Sequence, residues 1–210
     1  MAPPAKAVEG ANALATRDRV LRGALKSYGV PDLRRGRPRR THFAELTRMI
    51  CYQQLAGRAA AAIYGRFDAL FDGPPTPDSV LALSMDELRG VGLSGSKAAS
   101  IVDLAEKTDV GLVQLDRMSR LPDEEVEREL TLVRGIGQWT AHMFLMFQLG
   151  RLDVWPVDDY GVRKGWTIAH RKRELITPRA LQAEGEKFRP YRSVAAWYCW
   201  RAVENIVLPT

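Results

Sequence analysis

Apolar residues in this chain recur three and four positions apart, and nowhere do they alternate with polar ones over the length of a strand. That spacing predicts an all-α protein of roughly ten helices. Leu14, Val20, Leu21 and Leu25 outline a helix within 12–29, after a Pro/Ala-rich stretch, 1–11, expected to be flexible. A longer helix is expected over 43–67, carrying Leu46, Met49, Ile50, Leu55, Ile63 and Tyr64 around an alanine-rich centre. Thr76 or Asp78, Ser84 with Glu87, and Thr177 before Pro178 supply the chemistry of helix starts. Between them, DLRRGRPRR (32–40) reads as a basic linker, since Gly36 and Pro38 prevent a regular helix.

Two glycine turns echo each other, LRGVG at 88–92 and LVRGIG at 132–137. The second separates two amphipathic segments, and Asp158 and Asp159 follow about twenty residues later, after a Trp-Pro break. Glycine lets a backbone approach a phosphate closely, and the N–H groups that open a helix carry partial positive charge. Gly135, Gly137, Gln138 and Thr140 are therefore candidate DNA-backbone contacts, of the kind that fix position without reading sequence. An ordinary helix corner fits the same residues.

The balance of 31 basic against 25 acidic residues, formally +6, suits an anionic partner. No run reaches membrane-spanning length, and MAPPAKAVEGANALA lacks a basic segment leading into a continuous apolar one, so a cytosolic protein is expected. Cys51 and Cys199 have no ligand-like neighbours and read as buried free thiols; His42, His142 and His170 are too scattered for a catalytic metal.

Four segments, MICYQQLAGRAAAAIYGRF (49–67), LRGVGLSGSKAASIVDLA (88–105), LVRGIGQWTAHMFLMFQLGRLDVWPVDDYGVRKG (132–165) and KFRPYRSVAAWYCWRA (187–202), together resemble the helix-hairpin-helix base-excision glycosylases, above all the bacterial 3-methyladenine DNA glycosylase II type. The resemblance implies two helical lobes with an active-site cleft between them. One would be 41–152, with the hairpin at about 124–149; the other would join 12–40 to 153–210 and carry the catalytic acid. With so little chain before residue 41, it would be a minimal form without the N-terminal sheet domain some relatives have.

That resemblance places the catalytic carboxylate on Asp159, with Asp158 as the alternative if the register slips by one; either acid also suits the cap of a helix starting at Tyr160. Where lyase relatives carry a Schiff-base lysine this chain has Trp139, which implies a monofunctional enzyme; Lys164 lies beyond the acid and reads as structural or phosphate-facing. Trp139, Met143, Trp200 and Tyr160 are the implied base-pocket positions, Met143 replacing an aromatic, and Trp155, Trp197 and Tyr198 are further aromatics near them in sequence. Stacking on such rings favours cationic alkylated purines. Gln54, or Gln53 beside it, falls on the side chain wedged into the duplex, and Arg192 reads as structural. The expected partner is double-stranded DNA with a damaged base, bound by a monomer without a cofactor, apart from a monovalent cation that hairpin carbonyls hold in this family. A related glycosylase for uracil, mismatched thymine or hypoxanthine, and a non-catalytic DNA-binding module, are the competing expectations.

Overall fold

The computed structural model describes residues 4–33 and 40–207, with side chains to Glu204. Among these residues every regular element is helical, as the spacing of apolar residues predicts. The order is α1 (Ala5–Arg17), α2 (Arg19–Tyr28), α3 (His42–Tyr52), α4 (Gly57–Asp68), α5 (Pro77–Leu81) and α6 (Met85–Gly90). It continues with α7 (Gly95–Asp109), α8 (Asp123–Thr131) and α9 (Gln138–Phe144), which passes directly into a π-helical turn, Leu145–Leu149. Then come α10 (Tyr160–Ala169), α11 (Pro178–Gly185), a 3₁₀ turn at Glu186–Phe188, and α12 (Arg192–Val207).

Local side-chain chemistry sets most of the starts. Thr41, Thr76, Ser84, Ser94 and Thr177 each accept a backbone N–H of the following first turn. Thr76 rather than Asp78 caps α5, and Ser84 with Glu87 closes a reciprocal capping box. Each such cap is worth about 1 kcal/mol.

Four helical boundaries depart from the sequence reading. The stretch 1–11 is not simply flexible, because α1 starts at Ala5 and buries Ala7, Ala11 and Leu14 at helical spacing. The helix expected within 12–29 breaks at Asp18, whose extended backbone and carboxylate cap α2 through the N–H groups of Val20 and Leu21. The helix expected over 43–67 is two, interrupted where Gln54 takes a left-handed φ of 54°. The helix expected to run from Gln138 to Leu149 changes to π geometry after Phe144. Of the basic linker, Arg34 to Arg39 lie outside the described residues, while Arg40 sits 5.6 Å over the Tyr64 ring and 3.7 Å from Glu45.

The chain divides into two compact units, Met1–Gly36 with Leu145–Thr210, and Arg37–Phe144. It leaves the first unit and returns to it at Leu145, where the π turn begins. In the Arg37–Phe144 unit, Leu46, Ile50, Phe67, Leu88, Ile101, Leu104, Leu130 and Phe144 are fully buried. In the other, Leu14, Phe188 and Tyr198 fill the core, and Trp155 and Trp166 join them. There α10 and α12 pack closely, because a Cβ at Gly165 would collide with the backbone carbonyl of Cys199.

Candidate active site

The glycine turn expected to bind DNA joins α8 to α9, and its two glycines are there for different reasons. Gly135 has a φ of +75°, and a Cβ on it would lie 2.5 Å from the Ser100 hydroxyl, so the fold itself demands glycine. Gly137 has neither constraint; nothing lies within 4 Å of where its Cβ would stand. Buried Ile136 anchors the turn between them, and the Arg134 N–H donates to Asp103 on α7 at 2.7 Å.

Ala141 N–H to the Gly137 carbonyl, 3.1 Å, closes the first turn of α9. The amides of Gln138, Trp139 and Thr140 belong to that opening turn, where a helix has no acceptors of its own. The side chains of Gln138 and Thr140, expected to donate to phosphate, both have partners within the protein. Gln138 donates to Glu127 at 2.7 Å, and Glu127 also meets His142 Nε2 at 3.2 Å. Thr140 is buried, its hydroxyl 3.3 Å from the Gln53 amide. The Thr140 hydroxyl is thereby turned away from solvent, whereas the Gln138 side chain stays exposed.

The two candidate wedge residues also separate. Gln53 donates its amide to the Gly135 carbonyl at 2.9 Å as well as to Thr140, so it is tied to the hairpin. Gln54 is exposed and has no side-chain hydrogen bond among the described residues. Lys97 of α7 donates to the carbonyls of both Cys51 and Gln53 at 2.7 Å, and burial holds its ammonium below the usual lysine range. In this same unit Trp139 is 49% exposed, whereas Met143 is buried.

In the other unit, the loop after the π turn is held by Asp153. Its carboxylate takes Arg192 Nε at 2.8 Å and Arg189 at 3.0 Å, which gives Arg192 the structural role expected of it. The loop ends at the paired acids. Asp159 caps α10, its Oδ1 accepting the Val162 N–H at 2.7 Å, and the same oxygen accepts the indole N–H of Trp200 at 2.9 Å. Asp158 is exposed and makes no side-chain hydrogen bond among the described residues. Of the two candidate acids, the capping role therefore falls on Asp159.

Trp200 comes from α12, with its ring 5.8 Å from that of Phe147. It reaches Asp159 because α10 offers glycine at 161: a Cβ there would lie 2.8 Å from Trp200 Cδ1 and 3.0 Å from Asp159 Oδ1. Gly161 and Gly165, four residues apart, thus form one close-packing face of α10. Their spacing is the sequence signal that marks them, and the sequence reading did not use it.

Among the other aromatics, Tyr160 is 64% exposed, beside the acid. Trp155 and Tyr198 are core: the Trp155 indole donates to the Leu181 carbonyl at 2.8 Å, and the Tyr198 hydroxyl donates to the Gly29 carbonyl at 3.0 Å. Trp197 is half-buried under Arg201. Cys51 and Cys199 are buried free thiols, as expected, and burial pushes Cys51 up to about 12. Among the described residues no group of three or more His, Cys, Asp or Glu is placed to hold a metal ion, and no helix is long and apolar enough to cross a membrane.

A helical protein with a glycine hairpin, followed by a carboxylate that caps the next helix, has the architecture of a base-excision DNA repair protein. The chain belongs to the HhH-GPD superfamily of base excision DNA repair proteins, whose model matches residues 47–190. It is 36% identical over 162 residues to DNA-3-methyladenine glycosylase 1 of Schizosaccharomyces pombe, which covers 76% of this chain and 71% of that protein. The structure of 3-methyladenine DNA glycosylase Mag1 from that organism, in complex with abasic DNA, superposes with a TM-score of 0.83 at 31% identity, over 96% of this chain and all (100%) of that one. A DNA-3-methyladenine glycosidase from Bacillus halodurans superposes with a TM-score of 0.85 at 32% identity, over 94% of this chain and 90% of that one.

Proposed function

We propose that this chain is a monofunctional DNA glycosylase that hydrolyses the N-glycosidic bond of alkylated purines, of the 3-methyladenine and 7-methylguanine type, in double-stranded DNA. The observation that carries the reading is the carboxylate of Asp159, held by the Val162 N–H and the Trp200 indole, the residue on which the resemblance puts the catalytic acid. Departure of the base builds positive charge on the deoxyribose. A carboxylate already oriented stabilises that charge without reorganising while water adds to the anomeric carbon. An alkylated purine is cationic and leaves as a neutral base, so the protein need supply no strong general acid. The names of its relatives support this substrate class.

The remaining residues fit the same task. Gly137 has open space around it, which lets a phosphate reach the amides at the start of α9. Trp139, Met143, Tyr160 and Trp200 are the proposed base-facing positions, where rings reward a cationic purine. Trp139 stands where a lyase would carry lysine, so the strand is left unbroken at the abasic site. Gln54 fills the stack that the flipped nucleotide leaves. A monovalent cation on the hairpin carbonyls fits poorly at Gly135, whose carbonyl faces the Gln53 amide, and no step here uses one. The protein acts as a monomer in the cytosol, a setting in which two buried thiols stay reduced.

Base release tests this reading. Duplexes carrying single 3-methyladenine, 7-methylguanine, hypoxanthine, ethenoadenine or uracil lesions are incubated with excess protein, and the free base is measured. Release of the two alkylated purines ahead of uracil is expected, with no covalent adduct after borohydride. Fastest release of uracil overturns the substrate class, and a trapped adduct overturns the monofunctional assignment.

A further inference from the structure

One face of α7 holds both parts of the DNA-facing surface in the Arg37–Phe144 unit. Lys97, Ser100 and Asp103 are three residues apart and so share that face. Lys97 holds the end of α3 through the carbonyls of Cys51 and Gln53; Ser100 lies against Gly135; Asp103 accepts the Arg134 N–H. Gln53 closes the circuit by donating its amide to the Gly135 carbonyl and to the Thr140 hydroxyl. The next residue, Gln54, is an exposed non-glycine in the left-handed region, a strained conformation that persists only where neighbours impose it. Lys97 and Gln53 are those neighbours.

We infer that Gln53, with the Lys97–Ser100–Asp103 face of α7, is a positioning device that sets Gln54 at a fixed distance from the hairpin, so that gripping the phosphate and filling the vacated stack are one event. The inference rests on the proposed glycosylase reading. Without the strut, the hairpin would still bind the backbone, but Gln54 would have to be ordered at each flipping event, at a cost in entropy. Gln53 is thus a positioning residue that acts through Gln54 and does not touch the reacting atoms.

Gln53→Met tests this in the full chain, because it keeps the side-chain length, adds no charge beside the hairpin and removes both donors; Gln54→Ala serves as its comparison. The first readout is a duplex with 2-aminopurine beside an abasic analogue, bound to saturation, where wild type raises fluorescence by unstacking the reporter. Gln53→Met cuts that rise roughly 3- to 10-fold, as expected for the loss of one or two neutral hydrogen bonds. Gln54→Ala does the same, and affinity for undamaged duplex stays near the wild-type value in both. The second readout is single-turnover base release. It falls by a similar factor when the lesion faces its normal partner, and hardly at all when it faces a gap, where flipping costs little.

A wild-type fluorescence rise in Gln53→Met, or equal losses on paired and gapped lesions, overturns the strut. Equal losses would mark Gln53 as a residue of general stability only. If wild-type protein releases no alkylated base yet raises the fluorescence in a Gln53-dependent way, the strut stands and the catalytic reading falls.

Discussion

Replacing Trp200 by phenylalanine keeps an aromatic ring against Phe147 and removes only the donor to Asp159. A hydrogen bond to a charged group is worth about 1.5–3 kcal/mol. Asp159 keeps its bond from the Val162 N–H and is half-buried, so water can take up part of the loss and the lower figure applies. About 1.5 kcal/mol corresponds to a rate roughly tenfold lower. The loss should fall on the chemical step, with binding to abasic product DNA unchanged. Because the acid acts on the sugar, the fall should be the same for 7-methylguanine and neutral hypoxanthine. Trp200→Ala should add a loss specific to the cationic base, about two- to thirty-fold from the missing cation–π attraction. Single-turnover release from both duplexes separates the two effects, with thermal melting to confirm that each variant is folded. Wild-type rates in Trp200→Phe on both lesions would refute the claim that the indole holds the acid.

Asp159→Asn should lower base release by roughly 10²-fold or more while leaving the fold intact, because asparagine is also an N-cap; Asp158→Asn should stay near wild type, and the reverse pattern in the same assay would move the catalytic role by one residue. Gly137→Val should weaken binding to damaged and undamaged duplex equally without loss of melting temperature, whereas Gly135→Ala should cost roughly 1–3 kcal/mol of stability; binding isotherms and denaturant unfolding distinguish them. Asp18 is raised by burial but lowered further by the Val20 and Leu21 N–H groups and by Lys187, so its folded value lies below the ordinary 3.8. Its charged form therefore stabilises the fold above 3.8 and loses that contribution as pH falls through the lower folded value. Asp18→Asn should be less stable at neutral pH by roughly 0.5–1 kcal/mol, a gap that closes on acidification in urea melts.

What the sequence made legible was local. Thr76, Ser84, Thr177 and the acid before Tyr160 act on a backbone N–H two or three residues away, so their spacing announces the helices they start. The break at Gln54 carries no such mark, because the Lys97 ammonium that holds the carbonyls of Cys51 and Gln53 beside it comes from α7, more than forty residues on. Gly135 and Gly137 look alike in the sequence, yet one is demanded by Ser100 and the other by nothing inside the protein. The acid itself was found by resemblance, but its bond to Trp200 spans 41 residues and depends on how α12 lies on α10, which periodicity does not report. For the same reason Trp155 and Tyr198 could not be told from site aromatics until their hydrogen bonds to Leu181 and Gly29 were known.

The π turn at Leu145–Leu149 is a helical segment storing one residue more than the backbone needs. Deleting a single residue there would let the segment relax to ordinary α geometry with its hydrogen bonding repaired. The chain beyond would leave in nearly its present direction, because one α turn rotates and advances the backbone about as far as the wider π turn does. The additional residue and the course of the polypeptide toward Asp159 are therefore separable properties here. Such a deletion should leave helical ellipticity and base release close to those of the unaltered protein, as an insertion absorbed within one turn requires.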